Sequence, residues 1–160
     1  MYKIRVILDV NEDVIRTVLV ANSLHLEELH FIISKAFGFK GNEMASFYKT
    51  DDKWTQGEEI PLFNMAETGE GISMASCFLK NTLPNKNDKL IYVYDFFNLW
   101  TFFVEVIDIF DDFSNESPKI ILSVGKIPEK APKKEFKADD FSLDDDDFND
   151  EFDDFNFNEY

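Results

Sequence analysis

The sequence predicts an α+β domain, a mostly antiparallel mixed sheet with one main helix packed on one face. Three observations predict it. Two pairs of apolar runs with period-two alternation, at the N-terminus and over residues 89–109, read as hairpins. Between them the stretch "SLHLEELHFIISKAFGF" carries its apolar residues at helical spacing. Short strand-like pieces fill the interval, and one helix can shield only one face of such a sheet.

The elements follow in order. Tyr2, Ile4, Val6, Leu8 and Val10 share one face of the first strand, with Lys3, Arg5 and Asp9 on the other. Asn11, Glu12 and Asp13 supply turn chemistry, and the β-branched run 14–20 returns as its hairpin partner. Leu26, Leu29, Ile33 and Phe37 then predict a helix over residues 26–37. His25 is its expected N-cap, Leu24 and Leu29 its staple, Glu27 and Glu28 its acidic first turn, and Gly38 its left-handed stop. Residues 46–50 and 60–63 read as strands joined by the polar loop "DDKWTQGEE". "SCFLKNTL" reads as a short helix ending before Pro84. "KLIYVYD", "FFNL" and "WTFFVEVIDI" form the second hairpin, and residues 119–124 are the last apolar piece. Hairpin, helix and further strands is also the opening of the ubiquitin-like, or β-grasp, topology. Residues 1–127 are thus expected as one α+β domain and 128–160 as linker and tail, the stretch "GKIPEKAPKKEFK" being a Pro- and Lys-containing linker too poor in large apolar residues to pack.

Composition narrows the class. At 160 residues and 44% hydrophobic content the chain supports a single core. No apolar run is long enough to span a bilayer, and the alternating N-terminus is unlike a secretory signal. With Cys77 as the single cysteine, a reduced, cytoplasmic setting is expected. The net charge of −16 is concentrated at the C-terminal end: residues 135–160 hold 12 acids and one Lys, leaving 20 acids and 15 bases before them. Blocks of like charge resist compaction, so this tail is expected to stay mobile and disordered. Its Phe residues, Phe148, Phe152, Phe155 and Phe157 among them, alternate with carboxylates.

Few residues carry chemistry. His25 and His30 sit about 140 degrees apart on a helix, too far round to grip one metal. The run "DDDDFNDEFDD" lacks the Gly of a calcium loop, so neither a metal nor a cofactor is called for. The motif "YVYDFFNLW" places Asp95 beside Trp100. A general-acid reading would have the ring wall raise the Asp pKa, whereas the simpler reading has Asp95 accepting backbone N–H bonds in a turn while Trp100 packs on the sheet. Phe96, Phe97 and Leu99 then serve as apolar cover. An enzyme would need Asp95 to meet Arg16 or His30 in one cleft between this ribbon and the helix.

"VIRTVLV", "LHLEELHFIISKAFGF" and "YVYDFFNLWTFFVEV" together resemble the plasmid Ri open-reading-frame-three-like family over roughly residues 2–128. Some of its members are insertion-element passengers with a resolvase-like name. Arg16, Leu29, His30, Tyr92, Tyr94, Asp95, Phe96 and Trp100 stand at the family's characteristic positions. Phe97 and Asn98 replace a Gly-Asp turn, Ile15 replaces a strand Trp, and Phe102 a His. The resemblance implies a fold and assigns no activity. Arg16, His30, Tyr92, Tyr94, Asp95 and Trp100 are its ligand or structural-motif candidates. Recombinase chemistry needs several cationic groups around a phosphodiester, and the chain has two arginines, Arg5 and Arg16.

The expected function is therefore a non-enzymatic binding or adaptor domain. Its acidic, aromatic tail would dock Phe rings into a protein partner with a basic surface, or imitate nucleic-acid charge. Direct nucleic-acid binding would need a larger basic face than Lys3, Arg5, Arg16, Lys35 and Lys40 provide. The alternative is an enzyme or small-ligand-binding protein with its site between ribbon and helix.

Overall fold

The structure is a computed structural model and describes residues 1–64, 71–111 and 118–132. Strands β1 (Tyr2–Leu8) and β2 (Ile15–Val20) form the opening hairpin, followed by helix α1 (Leu26–Ala36). β3 (Ala45–Thr50), β4 (Gln56–Pro61), a 3-10 turn at Met74–Ser76 and the short α2 (Leu79–Thr82) come next. β5 (Lys89–Tyr94), β6 (Trp100–Ile109) and β7 (Lys119–Val124) complete one seven-stranded sheet in the order β4-β3-β5-β6-β1-β2-β7.

Every pairing in this sheet is antiparallel, in keeping with the mostly antiparallel sheet that the sequence predicts. The ubiquitin-like order, which needs β1 parallel beside a later strand, is not confirmed. The tight turn after β5 sends β6 back along it and into antiparallel register with β1, Val6 opposite Val104. A second difference concerns β4, whose residues Gln56 to Glu59 are polar and exposed. It is an edge strand, and an edge open to water loses the alternation by which strands are recognised.

The helix forms where its local signals meet. His25 accepts from the Glu28 amide while the Glu28 carboxylate accepts from the His25 amide, a reciprocal cap. At the other end Gly38 adopts φ of 86° and lets the chain turn off the helix. Leu26, Leu29, His30 and Ile33 face the sheet and are buried against Ile4, Val6, Val18, Tyr92 and Phe102. The opposite sheet face carries a small cluster of Tyr48, Ile91 and Val93 under Trp54, Leu99 and Phe103. β5 is therefore buried on both faces. Beyond β7, Ile127 and Ala131 pack partly buried on the main core.

Candidate binding surface

The sequence-predicted site residues fall into three separate settings. His30, Tyr92, Tyr94 and Trp100 belong to an aromatic layer between α1 and the β5–β6 hairpin. His30 Nδ1 lies 2.6 Å from the Tyr92 hydroxyl, and both residues are fully buried. Burial lowers the His30 pKa to about 4, against a smaller opposing influence of the Gly41 backbone, so the ring is neutral at pH 7. Burial likewise holds the Tyr92 phenol well above its ordinary range. The Tyr94 hydroxyl accepts the Gly41 amide at 3.0 Å. Phe39, which drew no attention in the sequence, joins the layer: its ring lies 4.9 Å from Tyr94 and 5.2 Å from Trp100. Rings fill this interval, including the fully buried Phe47, Tyr92 and Phe102. His30 Nε2 is buried and without a hydrogen-bond partner among the described residues.

Arg16 does something else. Its Nε donates to the Ala36 carbonyl at 3.1 Å, and its terminal nitrogens donate to the carbonyls of Ile15, Val124 and Gly125. Its guanidinium also sits over the Phe37 ring at 5.1 Å. One side chain thus ties the C-terminal end of α1, where carbonyls lack intrahelical partners and a cation is favoured, to β2 and β7.

Asp95 lies in the turn between β5 and β6 at φ of 68°. Its carboxylate accepts the amides of Phe97 and Asn98 and the Asn98 side-chain N–H at 2.7 Å. That is turn chemistry. Phe97, expected as apolar cover, stands 92% exposed instead. Register separates Asp95 from Arg16. Arg16 lies opposite Val6, and Val6 opposite Val104, four residues along β6 from Trp100, roughly 13 Å at the usual rise per strand residue. Asp95, Arg16 and His30 do not meet in one cleft.

Open volume occurs elsewhere. A groove of about 410 Å³ runs between α1, β2 and β7, floored by Val18, Phe31, Ile32, Ala36 and Ile120, with Lys35 and Lys119 among its lining. β7 pairs with β2 on one side, and among the described residues no strand pairs with its other side, which makes it a sheet edge. Along it Ile120 is 51% exposed, Ile121 45%, Leu122 47% and Val124 37%. A register shift between Thr17 and Val18 turns Ile120 toward the helix side with Val18, and Leu122 toward the opposite face with Thr17. The strand leaves the sheet at Gly125, φ 79°, whose missing Cβ allows close approach of the Asp13 carbonyl. The apolar run was visible in the sequence. That it lies at an edge was not, because only its pairing with β2 makes it one.

A family model described as "Plasmid pRiA4b ORF-3-like protein" matches residues 1–132. The chain belongs to that family. The match runs through β7 and on to Ile127 and Ala131, so the groove and the edge strand lie within the family's domain. No curated protein matches the chain. Among solved structures, the crystal structure of a protein of unknown function, MM3350 from Methanosarcina mazei Go1, is similar with a TM-score of 0.63 at 20% identity. The alignment covers 80% of this chain and 72% of that one. Likeness at this identity bears on fold alone. Among the described residues no helix is long and apolar enough to cross a membrane. The tail residues Phe148, Phe152, Phe155 and Phe157 lie outside the described residues.

Proposed function

We propose that this family member is a protein-binding domain that accepts an extended, apolar segment of its partner along β7 and into the adjoining groove. The observation that carries the reading is β7 itself, a six-residue edge strand exposing Ile120, Ile121, Leu122 and Val124. Edge strands exposed to water are ordinarily blunted by charge, proline or a covering element, because their free N–H and C=O groups recruit other chains. Between Lys119 and Val124 there is no proline and no further charge. Strand addition supplies affinity through main-chain hydrogen bonds, and an adjacent pocket supplies selectivity for alternate side chains. The groove beside Ile120 is such a pocket. In this reading Arg16 and the aromatic layer are positioning groups: they hold α1, β2 and β7 at the spacing that keeps the groove open.

Selection of peptides from a random display library against the full chain tests the proposal. Selected peptides are expected to be apolar at alternate positions, to slow amide exchange across residues 119–124, and to lose binding at least tenfold to the double variant I120K/L122K. Peptides that protect another region, or that bind the double variant equally well, overturn it.

A further inference from the structure

Four of the tail's Phe residues lie in the segment "FNDEFDDFNF", residues 148–157, where acids stand between Phe148, Phe152 and Phe155, and Asn156 between Phe155 and Phe157. In an extended segment Phe155 and Phe157 fall on one side, two residues apart, and the acids Asp150, Glu151, Asp153 and Asp154 lie just before them. The groove beside β7 has the complementary composition. Its floor is Val18, Phe31, Ile32, Ala36 and Ile120, and Lys35 stands at its wall. Lys126 and Lys130 are exposed in the chain that follows β7. Residues 135–160 carry 12 of the chain's 32 acids with one Lys, so basic ground on the domain is where this segment is drawn.

Chain length permits the connection. Ile127 and Ala131 rest against the helix-side core, which starts the remaining chain from the same side of the sheet as the groove. From Pro132 to Phe155 is about 23 residues, for which an unstructured polypeptide has a root-mean-square span of roughly 26 Å. A domain of this size is only slightly wider, so the effective local concentration of the segment is on the order of millimolar. Weak contacts then suffice for high occupancy.

We infer that the chain's own segment 148–157 occupies the β7 edge and its groove in cis, Phe155 and Phe157 entering the groove. An external partner then binds by displacing it. This rests on the reading of β7 as a binding surface and names the segment that covers that surface in the free protein.

The test uses the full chain and the triple variant F152S/F155S/F157S, followed by amide hydrogen exchange. Exchange of residues 119–124 is expected to be at least tenfold faster in the variant. It should slow again when a synthetic peptide of residues 141–160 is added, and the effect should weaken at high salt. I120K with the tail intact should exchange as fast as the triple variant. Equal rates in wild type and triple variant overturn the inference. So does protection that vanishes on dilution, which would assign the segment to a second copy. If the rates are equal while library-selected peptides still protect 119–124, the cis occupant fails and the binding surface stands; if neither protects β7, both fail.

Discussion

His30 Nδ1 and the Tyr92 hydroxyl lie 2.6 Å apart, closed off from solvent between α1 and β5. The contact joins the helix to the center of the sheet at a point where water cannot substitute for either partner. Removing one partner leaves the other buried without a hydrogen bond, which costs about 1–3 kcal/mol. Tyr92→Phe is therefore expected to lower the free energy of unfolding by that amount, read as a lower urea midpoint with an unchanged slope. A variant as stable as wild type would show that the bond contributes nothing net.

The same ring makes stability depend on pH. His30 titrates at about 4 when folded, against its ordinary 6.5. Between those values the unfolded chain binds the proton and the folded chain does not. The contribution of the neutral, buried ring is complete above about pH 6.5 and is lost as pH falls toward 4, up to about 3 kcal/mol. Stability measured from pH 7 to pH 4.5 should fall in wild type more steeply than in His30→Leu, which has no such proton. Parallel curves would contradict it.

Arg16→Ala removes donors to the carbonyls of Ala36, Ile15, Val124 and Gly125 at once. Several of these carbonyls can turn to water, so the expected loss is about 2 kcal/mol, near that of one charge-assisted bond. Arg16→Lys should recover less than half of it, since an ammonium lacks the planar fork that reaches separate carbonyls. Amide exchange should quicken first in β7 and the last turn of α1. Uniform acceleration across the sheet would instead mean that Arg16 acts on global stability alone.

Asp95 combines a positive φ with three accepted hydrogen bonds. Asp95→Ala loses both advantages, the side-chain acceptor and the tolerance of left-handed backbone, and should cost about 1–2 kcal/mol. Asp95→Asn keeps an acceptor for the Phe97 and Asn98 amides and should retain most of that stability. Chemical denaturation of the pair decides it. If Asn is as damaging as Ala, the carboxylate charge matters in a way the turn geometry does not explain.

Gly125→Ala tests how β7 is held. An added Cβ would collide with the Asp13 backbone carbonyl, and the positive φ of 79° already disfavours alanine. Backbone cannot yield as a flexible side chain can. The expected outcome is a local one: fast exchange over residues 119–124 with the β5–β6 hairpin still protected.

Local patterns in the sequence were enough to determine the α+β class, both hairpins, the start and stop of α1, and the turn role of Asp95. Each depends on residues within a few positions of one another. His25 and Glu28 cap a helix because they are three apart; Tyr2, Ile4, Val6 and Leu8 share a face because a strand alternates. Strand neighbours, by contrast, depend on pairings across the whole chain. Only the tertiary structure decided that β6 inserts antiparallel beside β1, that Phe39 closes the aromatic layer, that Arg16 spends its donors on carbonyls, and that residues 119–124 lie at an open edge. The physical reason is that burial and exposure belong to the assembled sheet. The same largely apolar hexapeptide would be core between two strands and is exposed to solvent beside one.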